Sequence, residues 1–260
     1  MIGIYLSGTG NTRHCVEKLT GLLDSSAESM PLESRGTVEA IRNNDTIILG
    51  YPTQFSNAPY MVRDFIHRNA GLWKGKKLLC VSTMGAFSGD GAGCTARLLK
   101  KYGAVILGGL HIRMPDSVCD SKLLKKTLKQ NREIIIQADK KIESAALLIK
   151  QGIYPKDGIT FISHLAGLLG QRLWFYGKTA DYTDKLKISK SCIGCGLCCG
   201  ICDEVFRMNE YEKAEAYQPA NDAAGKRCTM CYRCISRCPE KAITLLGKEV
   251  KEQCGYEKYR

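Results

Sequence analysis

Residues 2–12 read Ile2-Gly3-Ile4-Tyr5-Leu6-Ser7-Gly8-Thr9-Gly10-Asn11-Thr12. The mainly apolar run predicts a buried strand, and the polar turn after it opens a helix from Thr12 to Leu23 on apolar spacing. Hydroxyls, two glycines and a helix amino terminus meet in this turn. Unpaired backbone N–H groups and the positive helix end favour an anion there, and Ser and Thr hydroxyls add hydrogen bonds. No Gly-Lys-Ser/Thr follows, so the turn is not a Walker loop. Arg13 stands where a dinucleotide loop has its third glycine. A hydroxyl-rich turn without lysine suits a phosphate monoester, and it is equally readable as a plain helix cap.

Strand and helix signals alternate outward from this point. Strands are predicted at Ser29–Leu32, Thr46–Tyr51 and Lys77–Ser82, and Ala104–Leu107 begins a fifth. Helices are predicted from Pro59, from Asp90 to Tyr102 and over 121–151. Apolar strands alternating with helices give an α/β fold, a doubly wound five-stranded parallel sheet covered on both faces. Its ligand would lie beyond the carboxyl ends of the strands.

The chain has 260 residues, enough for one large and one small domain, and 14 cysteines. Cys15, Cys80, Cys94 and Cys119 are scattered, and Cys254 lies in the tail. Nine fall between Cys192 and Cys238, where the spacing CxxCxxCxxxC occurs twice, starting at Cys192 and Cys228. A small module of this kind needs metal or disulfide staples. Residue 1 leads straight into a strand, without a basic segment or cleavage site, so a reducing cytoplasm and metal binding are expected. Structural zinc takes separated CxxC pairs, and two complete copies with a fourth cysteine each are more specific to iron–sulfur clusters.

No run of 18 apolar residues predicts a transmembrane segment. The formal net charge is +12, and the basic excess lies mainly before residue 187. Lys122, Lys125, Lys126, Lys129 and Arg132 follow helical spacing, which fits either a docking face for an acidic redox partner or a solvated helix face. Residues 160–177 predict a short amphipathic helix packed between the domains, or else a membrane-surface anchor, with His164 a structural histidine.

The SGTGNT turn after the first strand resembles the FMN-phosphate loop of flavodoxins. The resemblance implies a flavodoxin-like fold and FMN, with Ser7, Thr9, Gly10, Asn11 and Thr12 at the phosphate. It also implies that two loops flank the flavin ring: Pro52, Thr53, Gln54, Phe55, Ser56 and Asn57 in one, and Thr83, Met84, Gly85, Phe87, Gly89, Asp90 and Gly91 in the other. Phe55 and Phe87 would stack on the ring or serve as packing. Asp90 would touch the flavin or cap the helix after it.

The doubled cysteine motif resembles bacterial two-cluster ferredoxins. That resemblance assigns Cys192, Cys195, Cys198 and Cys238 to one 4Fe–4S cluster, and Cys202, Cys228, Cys231 and Cys234 to the other. Gly194 and Gly196 would loosen the backbone around the first cluster. The pattern departs at Asp203, where a proline is usual, and at the extra thiol Cys199. Residues 203–227 form a longer insertion than in minimal ferredoxins.

Together the two halves resemble flavodoxin–ferredoxin fusion proteins. The implied domains are 1–152 for FMN, 153–187 as connecting helix and linker, 188–247 as a small α+β two-cluster ferredoxin-like domain, and 248–260 as a charged, frayed tail. The expected function is electron transfer between low-potential donors and acceptors through two 4Fe–4S clusters and FMN. One alternative is an FMN-dependent reductase of a small molecule with the clusters as an internal wire, and another is a redox sensor. Redox proteins are the expected partners; nucleic acid is not, and a dimer is compatible with the sequence.

Overall fold

The computed structural model describes residues 1–122, 125–173, 185–217, 228–245 and 247–260. Residues 174–184 of the expected connecting helix and linker and 218–227 of the insertion lie outside the described residues.

Five parallel strands form one sheet in the order β2-β1-β3-β4-β5. They are β1 (Ile2–Tyr5), β2 (Ser29–Pro31), β3 (Thr46–Pro52), β4 (Lys77–Met84) and β5 (Val105–Arg113). Period-two alternation sends Ile2, Ile4, Ile47, Leu49, Leu78 and Cys80 to one face. Tyr5, Ile48, Leu79 and Val81 go to the other. Helices α2 (Thr37–Arg42), α3 (Tyr60–Arg68) and α4 (Gly91–Lys101) cover the first face, with Val62, Ile66 and Leu99 fully buried. Helices α1 (Asn11–Leu23) and α5 (Leu128–Lys150) cover the second through Val16, Leu19 and Ile142. The sheet is therefore the doubly wound α/β arrangement expected, and the strand order reverses beside β1, where such sheets bind ligands.

Local chemistry sets several boundaries differently from the sequence expectation. α5 begins at Leu128, because Thr127 accepts from the Gln130 N–H and Gln130 reaches back to the Thr127 N–H, a capping box. Lys122, Lys125 and Lys126 thus precede the helix and share no helical face with Lys129 and Arg132. Lys125 turns inward instead, 2.9 Å from Asp116 Oδ2 and 3.0 Å from Cys254 Sγ. β5 runs on past Leu107 to Arg113 through Gly108 and Gly109. Glycine weakens a strand signal, but these two let the backbone of 155–157 cross closely, with Gly109 N–H bonded to the Pro155 carbonyl at 2.9 Å. The six residues of α2 carry too little periodicity to be read from sequence.

The connecting helix α6 (Phe161–Gly167) continues into a π turn over 168–172. It packs on α4 and the loop before it, with Gly167 against Asp90. Its other face leaves Phe161 and Ile162 exposed.

The second module has two small antiparallel pairs, β6 (Leu186–Ile188) with β9 (Ile243–Leu245) and β7 (Phe206–Met208) with β8 (Ala214–Ala216). Two short helices, α7 (Leu197–Ile201) and α8 (Arg233–Arg237), each lie within one cysteine motif. The C-terminal residues do not fray. Helix α9 (Tyr256–Tyr259) docks on the first module, with Cys254 and Tyr259 each 4% exposed and Tyr256 stacked on His14 at 4.4 Å. Charge dominates the tail's composition, but its two tyrosines and cysteine supply the apolar area that anchors it.

α1 sits so close to the sheet that a Cβ on Gly50 would overlap the Val16 side chain. Gly50→Val should push α1 outward and destabilise the protein by about 1–3 kcal/mol. The check is the midpoint of urea unfolding; an unchanged midpoint would contradict this packing.

Candidate functional site

Gly10 caps α1 in a left-handed conformation (φ 93°) that suits glycine, and no side chain caps the helix. The amides of the first turn therefore have no helical acceptor. Thr12 Oγ1 is 2.8 Å from Thr83 Oγ1, and Asn11 Nδ2 donates to the Pro115 carbonyl at 2.8 Å. Ser7 Oγ and Asn11 Oδ1 are buried and have no hydrogen-bond partner among the described residues. Buried polar atoms are nearly always paired, so orphans beside an open helix amino terminus mark a ligand site.

The two loops read as ring-flanking lie side by side. The Thr53 N–H donates to the Thr83 carbonyl at 2.8 Å, and the Thr53 hydroxyl meets those of Ser82 and Ser88. Gln54 and Asn57 exchange backbone hydrogen bonds around Phe55 and Ser56. Both of these residues are left-handed, at φ 50° and 58°. Such backbone is costly outside glycine and survives only where the surroundings impose it. Ser56 is fully buried and donates to Gln171 Oε1 at 2.7 Å. Phe87 stays 49% exposed.

Asp90 stands at the N-cap of α4, yet its side chain makes no capping bond. Its buried carboxylate pairs with Arg97, with His164 at 2.9 Å and with Arg172 at 3.1 Å. The cap reading is thereby corrected: these side chains hold the carboxylate, and two of them come from the connecting segment. His164 is the structural histidine expected.

The cysteines divide into two sets. Cys192, Cys195, Cys198 and Cys238 line one cavity, Cys202, Cys228 and Cys231 line another, and Cys234 lines both. Cys199 lines neither. Among the described residues, no three His, Cys, Asp or Glu side chains converge as one ion would require. The two motifs also share a backbone shape. Gly194 and Gly196 are left-handed, and so are Met230 and Tyr232 at the matching positions of the second motif. The glycines serve this twist, not looseness, and the second copy adopts it without glycine at about 1–2 kcal/mol per residue. Burial pushes the Cys202 and Cys228 thiols up to about 12. Metal binding would have to displace those protons.

The second motif is seated on the first module. Gln54 Nε2 donates to the carbonyls of Thr229 and Met230, at 2.6 and 3.1 Å. The Met61 N–H donates to Thr229 Oγ1 at 3.2 Å. Arg233 donates to the Ser7 carbonyl, and a Cβ on Gly8 would overlap the Cys231 carbonyl. From the tail, the Tyr256 N–H donates to the Thr9 carbonyl at 2.7 Å. Thr229 and Arg233 fill unspecified positions between the motif cysteines and Tyr256 lies in the charged tail, so nothing local in the sequence marks these contacts.

The flavodoxin domain model matches residues 2–133, half of the chain. The chain belongs to the flavodoxin domain family. Among solved structures, the flavodoxin of Megasphaera elsdenii in its two-electron reduced form is 24% identical. The match covers 56% of this chain and 98% of that one, with a TM-score of 0.42. Oxidised Flavodoxin 2 from Bacillus cereus is 20% identical over 58% of this chain and 97% of that one, also at 0.42. A stretch of 62 residues is 37% identical to a ferredoxin of Thermococcus litoralis, covering 24% of this chain and 97% of the ferredoxin. Flavodoxin membership implies FMN, which fits the orphaned hydroxyl and open helix end of the Ser7–Thr12 turn.

His111 lies beside the 83–91 loop of this flavodoxin domain, with Nε2 3.3 Å from Ser88 Oγ. Burial lowers its pKa, opposed by Asp157 and Asp90 and helped by Lys141. The folded state therefore binds its proton less readily than the unfolded chain, whose imidazole titrates near about 6.5. Stability should fall as pH drops below that value and be unaffected above it. Thermal unfolding from pH 7 to 5 should show wild type losing stability relative to His111→Gln; parallel profiles would contradict the assignment.

Proposed function

We propose that this chain is an electron-transfer protein that joins FMN to two 4Fe–4S clusters. The observation that carries this reading is the seating of the second cysteine motif on the flavodoxin domain, at the 7–10 turn through Cys231 and Arg233 and at the 52–57 loop through Gln54. When bound, the clusters supply one-electron exchange and FMN one- or two-electron exchange.

The residues divide the work by position. Ser7, Thr9, Gly10, Asn11 and Thr12 would hold the FMN phosphate, and the loops 52–57 and 83–91 would bound the ring. Cys202, Cys228, Cys231 and Cys234 would hold the inner cluster, against the flavin loop. Cys192, Cys195, Cys198 and Cys238 would hold the outer one. Cys195 is exposed, and Ile193 and Leu197 beside it stand 59% and 50% exposed. An external redox protein would therefore meet the outer set, over a small apolar rim.

A reductase of small molecules needs an open face over the flavin. Here α6 and Gln171 lie on the ring loops and bury Ser56 and Asp90, which favours the carrier. Among the described residues no helix is long and apolar enough to cross a membrane. We place the chain in the cytoplasm, because clustered thiols persist in a reducing compartment.

Anaerobic reductive titration of the holoprotein, followed by absorption, tests the reading. Both the flavin band and the broad iron–sulfur absorption should bleach, with uptake of about four electrons, two for FMN and one for each cluster. Bleaching of flavin alone would overturn it.

A further inference from the structure

The cysteine module and tail grip the phosphate turn by its carbonyl groups. Arg233 Nη2 and Nε donate to the Ser7 carbonyl at 2.8 and 3.2 Å, and the same guanidinium pairs with Glu33. The Tyr256 N–H holds the Thr9 carbonyl, and the Tyr256 Cβ lies against Gly10. The structure contains no cis peptide among the described residues. In a trans peptide the C=O of one residue and the N–H of the next point in opposite directions. With the Ser7 and Thr9 carbonyls drawn toward Arg233 and Tyr256, the N–H groups of Gly8 and Gly10 are turned the other way. Two amides of the anion-binding turn are thus aimed by contacts from outside the flavodoxin domain.

Arg233 lies inside the second cysteine motif, between Cys231 and Cys234, directly after the left-handed Tyr232. Left-handed backbone at Met230 and Tyr232 survives only where the surroundings impose it, and a cluster on Cys228, Cys231 and Cys234 would add to the hold that Gln54 and Met61 exert on this loop. Resting on the function proposed above, we propose that Arg233 is a positioning residue for FMN, and that FMN affinity depends on assembly of the inner cluster. Linkage makes the dependence reciprocal, so bound FMN protects that cluster.

The test is titration of FMN, and of riboflavin, into full-length protein freed of flavin with its clusters intact. Arg233→Ala should weaken FMN binding about tenfold, the worth of a charged hydrogen bond, while riboflavin, which has no phosphate, changes little. Arg233→Lys, which keeps the charge but supplies one donor, should recover part of the loss. Unchanged FMN affinity, or an equal loss for riboflavin, would overturn the inference. Should Arg233→Ala fail to hold its clusters, the wild-type protein carries the reciprocal test. A ferrous chelator should remove iron in two phases, one of them slowed by FMN and not by riboflavin. Release indifferent to FMN would overturn the inference while leaving the electron-transfer reading intact. Protein that takes up neither FMN nor iron would sink both.

Discussion

The contact between the 228–234 loop and the 7–10 turn is the constraint on which the arrangement turns. Both partners are backbone, so tolerance is small: a side chain at Gly8 would collide with the Cys231 carbonyl. Gln54 and Met61 secure the same loop from the other side, through Thr229 and Met230. The cysteine module is therefore fixed against two loops of the sheet at once. Its position relative to the flavodoxin domain is set by directed hydrogen bonds, which specify geometry more sharply than apolar area does.

The rest of the fold supports that contact. The parallel sheet buries Ile4, Leu49 and Leu78 on one face and Ile48, Leu79 and Val81 on the other. It thereby sets the ends of β1, β3 and β4 side by side. Gly3 and Gly50 let α1 approach until Val16 fills their space, which fixes where its open amino terminus lies. Asp90 ties α6 and the π turn to the second loop. The tail closes the remaining side, with Tyr259 buried beside α5 and Tyr256 across Gly10.

What was legible in the sequence was local or repeated. The strand and turn at residues 2–12 could be read because apolar run, glycines and hydroxyls are contiguous. The doubled motif could be read because its copies share one spacing, and the structure gives them one backbone shape. Long-range partners left no such trace: Arg233 meets Ser7 across 226 positions of sequence. Asp90 read as a cap because caps are decided by neighbours, yet its partners His164 and Arg172 come from a distant helix and turn. The basic run before Arg132 read as one helix face until the capping box at Thr127 put Lys125 outside the helix. In the tail, charge hid the few apolar residues that anchor it.

Microwave power saturation of the flavin radical tests the central contact most directly, comparing full-length protein with its clusters oxidised and with them reduced. On the function proposed above, a reduced, paramagnetic inner cluster would lie beside the flavin and should speed relaxation of the radical, so that it saturates at higher power than with oxidised clusters. Identical saturation in the two states would mean that the flavin and the clusters lie far apart, and would contradict the seating of the 228–234 loop on the flavodoxin domain.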